Sequence, residues 1–247
     1  MLEYRAARAI AAGEMLTICY LPSQYQLIAT PLRRAQLRFT KFFLCQCTRC
    51  SAPDTCRQFQ HHTCGGFIVP GPENGTGACD TCNGSFPLTT LPLEAEGELQ
   101  SVVLQLMRGD GSADLDMLSQ LREASLASLG ERHWCSAILL RFRLQCVQAI
   151  YDERGPTATT YTDEFRDGVS SAEGHLAWLE RWVQPWYATL PATFALDLCR
   201  LLQRQPTAEA KIRVRALARR YHLVLAAVLG PHDPRTVEMG AMSTSDA

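Results

Sequence analysis

Six cysteines and a histidine fall into two tight clusters between residues 45 and 82. The first is Cys45-Gln46-Cys47-Thr48-Arg49-Cys50, and the second is His61-His62-Thr63-Cys64 answered by Cys79-Asp80-Thr81-Cys82. Spacings of one or two residues let neighbouring thiolates converge on a single tetrahedral ion, so the segment reads as zinc-binding. The second cluster holds a complete set in His61, Cys64, Cys79 and Cys82, with His62 or Cys56 as alternatives to His61. Four N/S ligands leave no open coordination position, which makes that site structural. The first cluster offers Cys45, Cys47 and Cys50, and its fourth ligand must come from elsewhere.

Between residues 51 and 92 the chain carries Gly65-Gly66, Pro70-Gly71-Pro72, Asn74-Gly75, Asn83-Gly84 and Pro87, with little apolar mass. This is a turn-rich loop region that cannot bury enough surface to fold unaided. Metal binding supplies the missing free energy in small zinc modules, on the order of 10 kcal/mol or more.

The flanking segments have different characters. Leu2 to Ala9 and Leu16 to Leu21 read as short strands around a turn at Ala12-Gly13-Glu14, and a hairpin of that size must pair with something to be stable. Pro31 to Phe43 reads as a short helix with proline in its first turn. Its Arg33, Arg34, Arg38 and Lys41 form a solvated basic face. From Leu93 onward the pattern is helical, over about 93–107, 115–129, 135–151, 173–182, 194–202 and 208–229. In the helix from Cys135 to Tyr151 the apolar residues cover two faces, so it is buried on two sides. Short breaks between successive helices imply antiparallel hairpins stacked into a bundle or helical array. The fold class is therefore α+β and mainly α.

Net charge of −1 provides no field to hold a polyanion, so direct nucleic-acid binding is not expected. No segment approaches the roughly 18 apolar residues that a membrane helix needs. The start lacks the apolar stretch of a signal peptide, and 11 cysteines in that context point to a reducing compartment, cytoplasm or nucleus. Cys135, Cys146 and Cys199 sit in apolar helical patterns and read as buried small hydrophobes. His133, His175, Trp134, Trp178, Trp182 and Trp186 read as core, and Glu94, Glu96, Glu98, Asp152 and Glu153 as surface charge.

Taken in order, Gly13-Glu14-Met15-Leu16-Thr17-Ile18-Cys19-Tyr20, then Arg33-Arg34-x2-Leu37, then Phe43-x-Cys45-x-Cys47-x2-Cys50, resembles the end of a SET domain and its post-SET segment. More closely, it is similar to the SET-and-MYND family of protein-lysine methyltransferases. Cys64-Gly65-Gly66 with Cys79-x2-Cys82 fits a knuckle pair that follows post-SET in many relatives. Leu229-Gly230-Pro231-His232-Asp233-Pro234 is similar to a turn of their tetratricopeptide-like helical domain.

The resemblance implies an enzyme that transfers methyl from S-adenosylmethionine to a lysine side chain of a protein substrate, histones among the candidates. It gives Tyr20 the place of the active-site tyrosine, which helps orient the substrate amine. It sets Tyr20 and Phe43 at the cofactor, Phe43 near the adenine. It gives Cys45, Cys47 and Cys50 a zinc ion whose fourth cysteine lies in an Asn-His-Ser-Cys motif earlier in the SET core. No such motif occurs in these residues, nor does the family's amino-terminal cofactor loop or MYND finger. On this basis residues 1–40 form the end of a SET domain, 41–90 the zinc-binding post-SET region and 91–247 the helical domain. The chain corresponds to the carboxy-terminal part of such an enzyme and is expected to be inactive alone. The alternative is a non-catalytic zinc-binding and helical interaction module, whose stacked helices offer grooves for peptides.

Overall fold

The computed structural model describes residues 6, 9–15, 18–72, 75–110, 113–154, 162–183, 189–205 and 207–244. Most of the strand expected over Leu2 to Ala9 lies outside these residues, as do Leu16, Thr17 and Trp186. The described chain is mainly helical, with one four-stranded antiparallel sheet. It divides into two compact units, one of residues 20–155 and the other of residues 1–19 with 156–247.

In the first unit, a 3-10 turn at Ser23–Tyr25 leads into helix α1, Thr30–Lys41, with Pro31 in its opening turn as its fixed φ favours. Thr30, Arg33 and Leu37 recur at helical spacing on the buried face. Arg33 is therefore not part of a solvated basic face. It is 1% exposed, its Nη1 donates to the Ile28 carbonyl and its Nη2 to Thr30 Oγ1 at 2.5 Å. Those bonds, with Asp54 4.0 Å away, compensate the burial of its charge. A single turn, α2, spans Thr48–Ser51.

The turn-rich stretch folds as a meander. Strands β1 (Phe59–His61), β2 (Gly66–Pro70), β3 (Thr76–Cys79) and β4 (Ser85–Pro87) pair antiparallel in sequence order. Phe59 faces Ile68, Ile68 faces Cys79 and Gly77 faces Phe86. The sheet thus forms in the cysteine-rich region, whereas Ile18 to Leu21 join no strand. Strands of three to five residues are weak alone, and this sheet is supported from outside itself.

The support comes from helices α3 (Leu93–Arg108), α4 (Leu115–Ser128) and α5 (Trp134–Arg154). Asp114 caps α4 by accepting the Met117 N–H at 2.8 Å. Ser125 and Ser136 share a hydrogen bond of 2.7 Å, and the Ser136 hydroxyl also donates to the Gly130 carbonyl at 2.7 Å, which ties α4 to α5. Residues from two faces of α5 are buried, Trp134, Leu139, Leu140, Leu144 and Val147 among them. The Gln60 N–H donates to the Leu129 carbonyl and the Trp134 N–H to the Cys56 carbonyl, each at 2.8 Å. The edge of β1 thereby continues onto the α4–α5 connection, where Arg57 and His133 form a further antiparallel bridge.

The second unit holds helices α6 (Thr162–Trp178), α7 (Thr189–Leu202), α8 (Ala208–Leu229) and α9 (Pro234–Thr244), with a π-helical turn over Leu179–Val183 after α6. Thr207 caps α8 by accepting the Ala210 N–H at 3.1 Å. The core between these helices is built from Phe194, Leu198, Leu202, Tyr221, Leu225 and Met239. His175 lies against Trp178 and Phe194 with ring centroids 5.0 and 4.8 Å away, a packing role as its apolar context implied. Arg200 holds Glu238 through two bonds of 2.8 and 2.6 Å. The Ala12-Gly13 turn also belongs to this unit, with the Glu14 N–H donating to the Ala11 carbonyl at 3.1 Å.

Candidate metal centres and an exposed aromatic pair

The meander brings His61, Cys64, Cys79 and Cys82 together with every ligand atom within 4.8 Å of every other. Cys64 Sγ lies 3.0 Å from His61 Nδ1 and 3.5 Å from Cys79 Sγ, and Cys82 Sγ lies 3.7 Å from His61 Nδ1. These separations match the edges of a tetrahedron with metal–ligand bonds of about 2.0–2.3 Å, so the donor set fits zinc. His61 is the histidine of the cluster. His62 and Cys56 are outside it, and Cys56 is buried, its sulfur accepting from Arg49 Nη2 at 3.1 Å.

Local sequence explains the convergence. Gly65, at φ +72°, permits the tight turn after Cys64, and its N–H donates to the His61 carbonyl at 2.9 Å. Asn83, at φ +57°, reverses the chain after Cys82. Phe86 packs its ring 4.6 Å from that of His61 and fixes the imidazole from outside. Burial opposes ionisation of Cys79, but the backbone N–H groups of Cys82 and Thr81, with the side chains of His61 and Cys64, hold its thiol down at about 6. A thiolate is the form that binds zinc.

Asp80 sits between two of the ligands and carries much of the support. It accepts from the Phe67 N–H at 2.8 Å, from the Thr81 hydroxyl at 3.1 Å and from Arg132 Nη1 at 3.0 Å. Arg132 in turn stacks over the Phe67 ring at 4.1 Å. The candidate metal site is thus fastened to the α4–α5 connection.

A second fastening is the buried group of Arg57, Glu96 and His133. Glu96 is 5% exposed, which corrects its reading as surface charge; Glu94 and Glu98 are exposed as expected. Burial opposes its ionisation, yet the Arg57 and His133 partners hold its carboxyl down at about 2. His133 is fully buried, and burial lowers its basicity against the pull of Glu96. Its Nδ1 accepts the Cys135 N–H at 3.2 Å, which leaves Nε2 to donate to Glu96 at 3.2 Å.

The first cysteine cluster is a distinct arrangement. Cys45, Cys47 and Cys50 place their sulfur atoms within 4.8 Å of one another, and no fourth histidine, cysteine or carboxylate joins them among the described residues. Arg34 on α1 fixes the loop by donating from Nε to the Cys45 carbonyl at 3.1 Å. Burial raises the Cys50 thiol to about 12 against the favourable charge of Arg33. For Cys47 burial acts in the same sense but is outweighed by hydrogen bonds from the Cys50 backbone and the Cys45 and Cys50 side chains, which lower it.

Two residues before this cluster, Phe43 meets Tyr20 edge to face, with centroids 5.7 Å apart and planes at 70°. Tyr20 is 52% and Phe43 37% exposed, so both rings present open surface. The Tyr20 hydroxyl has no partner among the described residues.

Sequence spacing singled out the two groups of residues that the fold brings together. It missed Asp80, Arg132, Glu96 and His133, whose partners lie between 37 and 52 residues away and leave no local pattern.

No protein-family model matches the chain. A stretch of 53 residues is 50% identical to histone-lysine N-methyltransferase SMYD3 of Mus musculus. That match covers 22% of this chain and 12% of the mouse protein, so the chain spans a small part of the relative it matches. It supports a relationship to a lysine methyltransferase over that stretch. No described helix is long and apolar enough to cross a membrane.

Proposed function

We propose that this chain is part of a protein-lysine N-methyltransferase of SET-and-MYND type that uses S-adenosylmethionine. The observation that carries the reading is the open Tyr20–Phe43 ring pair immediately before the three-thiolate cluster, together with the 53-residue likeness to a histone-lysine methyltransferase. Residues 1–40 are the end of a SET domain, 41–90 the post-SET zinc region, and 91–247 a tetratricopeptide-like helical region. His61, Cys64, Cys79 and Cys82 hold a structural zinc ion, and Cys45, Cys47 and Cys50 contribute three ligands to another. The substrate is a lysine-bearing protein, with histones the first class to test, in the cytoplasm or nucleus.

Two uncommitted groups fit the cofactor role. Phe43 offers exposed aromatic surface to a planar base, and the Tyr20 hydroxyl has no partner among the described residues. When bound, S-adenosylmethionine supplies an electrophilic methyl group. The Tyr20 hydroxyl orients the substrate amine, and alignment of a neutral amine is a large share of such a barrier. A structural zinc at Cys45, Cys47 and Cys50 would keep Phe43 fixed against Tyr20, because Phe43 is separated from Cys45 by a single residue.

The test combines S-adenosylmethionine binding with transfer of labelled methyl to core histones. These 247 residues alone are expected to show neither, since only two of the cofactor contacts that the resemblance implies fall within them. In a longer polypeptide containing a SET core joined to this chain, transfer is expected, and Tyr20→Phe should lower it at least tenfold with little change in folding. Full activity of the Tyr20→Phe protein would overturn the assignment of that hydroxyl.

A second reading, a non-catalytic interaction module, draws on the closed His61 site and its rigid attachment to α3–α5. It is favoured if the longer polypeptide takes up zinc and binds a protein partner but transfers no methyl.

A further inference from the structure

Beside α1 lies a cavity of about 420 Å³ that the methyltransferase reading does not use. That volume falls within the usual range for small-molecule sites. Its walls are largely apolar, from Pro31, Leu44, Pro70 and Pro72, and its charged lining is Arg34, Arg38, Arg57 and Asp54.

The charges are not equivalent. Arg57 is committed to Glu96 through two bonds of 2.6 Å. Asp54 is buried, accepts the Thr30 N–H at 2.5 Å and lies 4.0 Å from Arg33. Asp54 is thereby already engaged at the start of α1. Arg34 spends only its Nε, on the Cys45 carbonyl at 3.1 Å, and the Arg38 guanidinium has no partner among the described residues. The two free cationic heads are four residues apart on α1, hence on one face. Guanidinium forks match the oxygens of a phosphate group, and two of them match its charge of about −2.

We propose that this cavity binds a phosphate monoester carried on a small apolar body, with its dianionic head held by Arg34 and Arg38 and its body against Pro31, Leu44, Pro70 and Pro72. Such a group is found on free organic phosphates and on phosphorylated tyrosine side chains, and the chemistry of recognition is the same for both. The site is independent of the methyltransferase reading, since it uses neither Tyr20 nor a metal ligand.

Calorimetric titration of the zinc-loaded 247-residue chain with phenyl phosphate, inorganic phosphate and a blocked phosphotyrosine tripeptide tests the proposal. Phenyl phosphate should bind one per chain and at least tenfold more tightly than inorganic phosphate, because only the former fills the apolar walls. Arg38→Gln alters an exposed, unpartnered side chain and should weaken phenyl phosphate about tenfold, the value of one charge-assisted contact. Ala35→Glu, which puts a carboxylate at the cavity wall on an exposed helix position, should abolish binding, while Lys211→Gln on α8 should leave it unchanged. The tripeptide binding more tightly than phenyl phosphate would assign the ligand to a phosphorylated protein, and equal or weaker binding to a free organic phosphate. The proposal is overturned if phenyl phosphate binds no more tightly than inorganic phosphate, or if folded Arg38→Gln and Ala35→Glu proteins bind it like the parent chain.

Discussion

Arg57 grips Glu96 through two parallel hydrogen bonds, Nε to Oε1 and Nη2 to Oε2, each 2.6 Å long. One partner precedes the meander and the other lies in the first turn of α3, so the pair clamps the meander to the helices. Breaking one side of a buried ion pair leaves an uncompensated charge. Glu96→Ala should therefore destabilise this unit by about 3–5 kcal/mol. Chemical denaturation followed by circular dichroism measures it, and a loss below about 1 kcal/mol would show that the clamp contributes little.

The same group sets a pH dependence. Glu96 has its native pKa depressed to about 2 from an ordinary value of 4.5, so the stabilisation it provides is present above 4.5 and lost as pH falls toward 2. The lowered native pKa of His133 acts in the same direction, because the unfolded state binds its proton more readily below pH 6.5. Stability should fall steadily from about pH 6.5 to pH 2. Glu96→Gln should flatten the lower part of that curve, and an unchanged slope would count against the assignment.

Zinc should be necessary for the meander. Its four strands total few residues, and metal binding in such modules provides on the order of 10 kcal/mol. Removing zinc with a chelator, or replacing Cys79 or Cys82 by serine, should erase amide-exchange protection at Phe67 to Val69 while α7 and α8 remain protected. Because protons compete with the metal for its ligand atoms, metal affinity should drop as pH falls. Elemental analysis across pH 5–8 checks this, and metal retained in full at pH 5 would be the contrary result.

Gly130 has φ +94°, and a Cβ there would come within 2.9 Å of the Gln60 Cβ. Gly130→Ala combines left-handed strain with overlap against β1, and should lower stability by about 2 kcal/mol or more. A melting temperature within a degree of the parent chain would contradict the close approach.

The parts of this fold that could be read from sequence are those whose causes are local. Cysteine spacings of one and two residues specify which thiols come together, and the apolar rows around Ile138 and Leu144 specify α5 with two buried faces. The meander escaped because its strands are short and glycine-rich, and their support comes from the distant residues Leu129, Arg132 and Trp134. Arg33 misled for a related reason. It stands in a row of basic residues, but its buried contacts are with Ile28, Thr30 and Asp54, and charge composition alone does not encode which arginine of a row turns inward. Tyr20 and Phe43 could be singled out only through likeness to a family; their ring contact is a product of folding.

Both borders of the meander offer little to a further strand. Along β1 the outward groups are occupied by the α4–α5 connection, through Gln60 to Leu129 and Cys56 to Trp134. At the other border β4 is three residues long and ends in Pro87, which has no N–H to offer. Unpaired strand edges are where chains recruit one another into aggregates. A sheet held together this weakly from within is consequently poor at templating its own copies, as long as the α4–α5 connection stays seated on it.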